Sequence, residues 1–108
     1  MNEGGLNEVF FALADPTRRE VIHRLSEAGP VTVSDLARRL PVTRQAVAKH
    51  LSALAEAGLI SAERDGRRTR YVLTPGPLAD AVGWMAEVGA EWDARLQALN
   101  RHLREDRR

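Results

Sequence analysis

The chain has 108 residues, enough for one domain (1–108) with a modest core. It has no cysteine, which excludes disulfides and thiolate metal or redox sites, and no apolar run long enough to span a membrane. The net charge of +1 is unevenly placed, at −2 over residues 1–30, +4 over 31–74 and −1 over 75–108, so the middle of the chain has the balance of a phosphate-binding face.

Leu6, Val9, Phe10 and Leu13 recur at i, i+3, i+4, i+7, which predicts a short amphipathic helix. Asp15-Pro16 is a helix start, an N-cap acid followed by proline at the first helical position. The helix it opens, 16–27, buries Val21, Ile22 and Leu25 and leaves Arg18, Arg19 and Arg24 off that stripe, where they could touch DNA backbone, although most such arginines are simply solvated. Gly29-Pro30 breaks the chain, and Thr32 with Asp35 forms a capping-box pattern for the next helix.

That helix carries Leu36, Ala37 and Leu40 on one face and stops before Pro41, which disfavours helical geometry at Leu40. Thr43 caps a second helix over 43–57, on which Val47, Leu51 and Leu54 share a face, and Gly58 ends it. Two helices joined by so short a turn form a helix-turn-helix. With Val47 and Leu51 inward, Gln45, Lys49 and Ser52 turn outward, flanked by Arg44, Ala46, Ala48 and His50. Gln can bond adenine bidentately, Lys and Arg can reach guanine or phosphate, and Ala46 is small enough to touch a thymine methyl.

After Gly58 the period changes. Residues 59–64 and 68–73 read as short strands on either side of Asp65-Gly66, a hairpin signal. A hairpin directly after a recognition helix is a wing; its tip at 64–68 carries Arg64, Arg67 and Arg68, suited to a narrow minor groove. Thr74-Pro75-Gly76-Pro77 punctuates the chain before a long helix, 77–104. Here Leu78, Val82, Met85, Gly89, Trp92, Leu96, Leu99 and Leu103 alternate spacings of four and three, a heptad seam with one glycine. The seam is longer than this domain covers alone, which predicts a partner helix, most simply that of a second subunit. Gly89 predicts that another backbone or a bulky side chain comes close there. Arg107 and Arg108 are expected to fray.

Taken together, Ala12-Leu13-Ala14-Asp15-Pro16-Thr17-Arg18-Arg19, Leu36-Ala37, Thr43-Arg44-Gln45-Ala46-Val47, Lys49-His50-Leu51 and Leu54 resemble the ArsR-type winged-helix repressors of bacteria. The likeness continues through Glu56-Ala57-Gly58-Leu59-Ile60, Gly66-Arg67-Arg68 and Tyr71-Val72-Leu73. Trp92-Asp93-Ala94-Arg95-Leu96 with Leu99 resembles one branch, often small repressors without a metal site. The resemblance implies a mainly α winged helix-turn-helix of order α-α-α-α-β-β-α, and a cytoplasmic homodimer that binds double-stranded DNA at a palindromic operator. It implies DNA contacts from Arg44, Gln45, Ala46, Lys49 and His50, with Arg67 and Arg68 on the wing. It also implies a dimer made by the first and last helices, with Leu6 and Phe10 closing over Met85, Gly89, Trp92, Leu96 and Leu99. Ala48 departs from the family, which commonly has serine there.

Metal-sensing relatives use cysteines, or paired Asp and His on the last helix. Here His23, His50 and His102 lie on three different helices, and Glu87 with Glu91 has no histidine nearby, so no metal and no cofactor is expected. No Ser/His/Asp arrangement and no phosphate-cradling glycine loop supports an enzyme. The alternatives are a winged-helix module for protein contact alone, or a metal-responsive repressor with an unrecognised site. No effector, regulated gene or operator sequence is legible.

Overall fold

The computed structural model describes residues 3–106; the expectation for Arg107 and Arg108 lies outside the described residues. Five helices and one hairpin follow in the order α1 (Glu3–Leu13), α2 (Pro16–Ala28), α3 (Val33–Arg39), α4 (Arg44–Glu56), β1 (Ile60–Asp65), β2 (Arg68–Leu73) and α5 (Pro75–Asp106).

Local chemistry starts and stops these helices where the spacing predicts. Asp15 Oδ1 accepts the amides of Thr17 (2.8 Å) and Arg18 (3.1 Å) at the head of α2. Thr32 and Asp35 close a reciprocal capping box on α3, and Leu40 before Pro41 is extended. Thr43 Oγ1 accepts the Ala46 amide at the head of α4, and Gly58 beyond its far end takes φ of +78°, a region open to glycine.

Apolar faces of α1, α2, α3 and α4 then meet in one core. Val9, Val21, Leu36, Val47, Leu51, Leu54 and Leu59 are fully buried, and no polar or charged side chain among the described residues is buried with them. Ile22 and Leu13 pack partly against this cluster.

The hairpin differs from expectation by one residue. Asp65 pairs with Arg68 as the last rung of the antiparallel ladder, so the two-residue turn is Gly66-Arg67, and Asp65 belongs to the strand. The reason is backbone geometry: Gly66 takes φ of +63° while Arg67 does not have positive φ, the pattern of a type II′ turn with glycine first. Asp65 also meets Arg70 diagonally across the strands at 3.4 Å. One rung has no periodicity to announce it: Val31, between α2 and α3, exchanges both backbone hydrogen bonds with Tyr71 at 3.1 and 2.7 Å. At the hairpin's base the Thr74 amide donates to the Leu59 carbonyl at 2.8 Å, one residue before α5 begins.

α5 starts at Pro75 and runs to Asp106, slightly longer than predicted at each end. Both prolines fit because Pro75 and Pro77 fall in the first turn, where amides have no acceptor within the helix. The base of α5 packs on the domain through Ala81 and Leu78, and Trp84 meets Phe10 of α1 edge-on with ring centroids 5.6 Å apart. Beyond that the helix projects, and the molecule measures 72 Å along its longest axis.

Two outcomes are expected. Thr43→Ala removes the α4 cap and lowers unfolding free energy by about 1 kcal/mol, measured by urea denaturation. The carboxyl of Asp15 is held below its ordinary range first by the Arg18 amide, and that of Asp35 first by the Thr32 amide. Their contribution to stability is therefore full above the unfolded carboxylate pKa of about 4 and lost as pH falls through the lower folded values. Asp15→Asn removes one of these contributions, so the difference between wild type and variant should shrink on acidification. A difference that stays constant down to about pH 2 would contradict this account.

Candidate nucleic-acid interface

The inward face of α4 fixes what its outward face presents. With Val47, Leu51 and Leu54 in the core, Gln45, Ala48, Lys49 and Ser52 are exposed, and Ala46 and His50 lie half-buried at the margins. Arg44, the first residue of α4, is exposed and donates through Nη2 to Ser34 Oγ on α3 at 2.5 Å. His50 turns toward the head of α2, where its Nδ1 accepts from Arg18 Nε at 3.3 Å.

The wing and the start of α4 converge. Arg67 from the turn, Arg68 and Thr69 from β2, Arg44 from α4 and the first turn of α3 line one open groove of ≈ 490 Å³. Arg38 and Asp35 also border it, paired with each other at 2.7 Å. Arg64 lies on β1 opposite Thr69 and is exposed. Among the described residues, none of Arg44, Lys49, Arg64, Arg67 and Arg68 forms an ion pair. Of these five, Arg44, Arg67 and Arg68 share the groove, and none of the five has its charge neutralised by a carboxylate among the described residues.

Sequence reasoning missed two supports of this face. Ser34, which holds Arg44, and Arg18, which holds His50, sit at positions that read as ordinary surface. Neither role carries a local signal, because each partner lies on another helix. Arg19, expected to be solvated or to touch DNA backbone, is exposed but also donates through Nη1 to the Leu13 (2.8 Å) and Ala14 (3.2 Å) carbonyls at the end of α1. Arg24 pairs with Glu20 at 3.2 Å.

A family model described as a helix-turn-helix domain matches residues 13–61. The transcriptional repressor SdpR of Bacillus subtilis is 35% identical over 80 residues, covering 74% of this chain and 88% of that one. An ArsR-like transcriptional regulator from Rhodococcus sp. RHA1 has a solved structure that superposes with a TM-score of 0.76 at 43% identity, covering 89% of this chain and 90% of that one. The chain belongs to the ArsR-type family of winged helix-turn-helix transcriptional repressors. A third neighbour, the homodimeric winged helix-turn-helix DNA-binding domain Mb0332 from Mycobacterium bovis, superposes with a TM-score of 0.63 at 27% identity, covering 83% and 80% of the two chains.

In this ArsR-type chain the seam residues occupy a continuous exposed stripe. Val82 is 58% exposed and Trp92 55%, with Met85, Leu96, Leu99 and Leu103 close to half exposed along the same helix. Arg95 lies over the Trp92 ring, 5.4 Å from its centroid. Leu6 and Phe10 of α1 are half-buried beside the base of α5. A Cβ at Gly89 would meet nothing within 4 Å in the single chain, so the close approach expected there is not made within one protomer. Phe11, which the seam did not include, is 78% exposed on α1. No helix of the described residues is long and apolar enough to cross a membrane.

Proposed function

We propose that the chain acts as a single domain and as a cytoplasmic homodimeric repressor, binding an inverted repeat in double-stranded DNA without catalysis, cofactor or metal. Arg44, Gln45, Ala46, Lys49 and His50 of α4 face the major groove, and Arg64, Arg67 and Arg68 of the wing follow the adjacent backbone and minor groove. The observation that carries this reading is the set of five unpaired cations on α4 and the hairpin, set around a helix whose polar face is free.

Dimerisation follows from the geometry of the target as much as from the stripe on α5. Two half-sites about one DNA turn apart, or a multiple of it, need two readers at fixed spacing. Support comes from the homodimeric M. bovis neighbour and from the apolar surface that one protomer leaves uncovered along α5. In the dimer, Met85, Gly89, Trp92, Leu96 and Leu99 pack against their symmetry mates, with Leu6 and Phe10 at the margin.

The groove assignment predicts a division of labour between helix and wing. Gln45→Ala relaxes preference at one base position per half-site, on the order of 1–3 kcal/mol. Arg67→Ala or Arg68→Ala instead weakens binding to all sequences and flattens its salt dependence by about one unit of slope each. Fluorescence anisotropy on selected and scrambled duplexes measures both. Unchanged affinity in a folded Gln45→Ala/Lys49→Ala variant would refute the assignment.

The dimer assignment predicts that Leu96→Asp with Leu99→Asp splits the dimer, since burying a Leu contributes roughly 1.5–3 kcal/mol and an unpaired carboxylate reverses that. Operator affinity falls with it although neither residue touches DNA. Sedimentation velocity decides: a stable dimer that keeps its affinity would mean that α5 does not form the interface.

A further inference from the structure

The first turn of α2 holds a side chain that the proposed interface does not use. Arg18 is half-buried and joins three helices. Its amide is bound by the Asp15 cap, its Nη1 lies 3.5 Å from the Ala12 carbonyl at the end of α1, and its Nε donates to His50 Nδ1 on α4. Its neighbour Arg19 gives the contrast, bonding only carbonyls at the end of α1 while remaining exposed.

A guanidinium has donors and no acceptor, so the ring nitrogen that faces it must be the unprotonated one. The proton of the neutral imidazole then sits on Nε2. That atom makes no hydrogen bond among the described residues and is not one of the side-chain nitrogens buried from solvent without one. His50 therefore has one ring edge spent inside the domain and a donor edge facing out. It stands one turn after Ala46 and next to Lys49 on the helix that faces DNA.

We infer that Arg18 is a positioning residue for DNA reading. It acts through His50, fixing the tautomer and orientation of the ring so that Nε2–H donates to a backbone phosphate beside the major groove, and it ties α4 to the end of α1. Arg18 itself does not touch the DNA. The inference rests on the assignment of α4 to the major groove.

The test uses the full chain and the duplex that the wild-type protein selects from a random library of about 30 bp, long enough for two half-sites. Arg18→Ala and His50→Ala each lower affinity for that duplex on the order of tenfold, the loss of one charge-assisted contact. The double variant loses no more than the worse single one, because the two residues act in series. The salt slope of Arg18→Ala stays at the wild-type value, whereas loss of an arginine that meets phosphate lowers it by about one. Arg18→Lys does not restore affinity, since a point charge cannot span His50 and the Ala12 carbonyl together.

Losses that multiply, a reduced salt slope, or full rescue by Lys would overturn the inference and place Arg18 on the DNA itself. Thermal unfolding is followed for every variant. Should Arg18→Ala not fold, His50→Ala and Arg18→Lys carry the test, and wild-type affinity in either one overturns it. A wild-type protein that selects no duplex refutes the DNA reading and this inference with it; selection by wild type with equal binding by Arg18→Ala refutes the inference alone.

Discussion

The apolar cluster that joins α2, α3 and α4 is the constraint on which the rest depends. Leu36, Val47, Leu51 and Leu54 are sealed from solvent, and a helix so anchored cannot rotate about its axis without exposing them. The outward direction of Gln45 and Lys49 follows from that burial rather than from any bond of their own. Because the core holds no polar group among the described residues, its cohesion comes from shape and the exclusion of water alone. The polar chemistry is left to the periphery, where the caps, the wing and the margins of α4 use it.

At that periphery the cations are engaged to different degrees. Arg24, Arg38 and Arg70 pair with carboxylates, and Arg19 binds the carbonyls that end α1. These are internal fittings with their charge already answered. Arg44, Lys49, Arg64, Arg67 and Arg68, on α4 and the hairpin, are not answered in this way, and among the described residues neither are Arg39 on α3 or Arg101 and Arg104 on α5. A net charge of +1 conceals this division. What matters for a polyanion is the local field of uncompensated groups, and that field is set by which arginines the fold has already engaged.

Much of this was legible because its causes are local. Asp15, Thr32 with Asp35, and Thr43 act on amides two or three residues away, so their helix starts could be read directly. The stripe on α5 was legible because a periodic pattern survives whether or not a partner covers it. The hairpin turn slipped by one residue because Asp-Gly specifies that a turn occurs, while the rung that closes it depends on the backbone of both strands. Val31 pairing with Tyr71 could not be read at all, being a single rung between segments 40 residues apart. The same holds for Ser34 with Arg44 and Arg18 with His50: each joins surface positions whose proximity exists only once the helices have packed.

The junction at Thr74 has a mechanical meaning. A single residue separates the last rung of the wing from the first turn of α5, and its amide is tied back to Leu59 at the hairpin's base. With Tyr71 also clamped to Val31, the root of the hairpin is held to the segment between α2 and α3 as well. The hairpin, the helical body and the start of α5 thus meet at one short junction with no flexible linker between them. The place of the wing tip is therefore set by the helical body that carries α4, so that turn and helix are offered to a common target as one surface of fixed spacing.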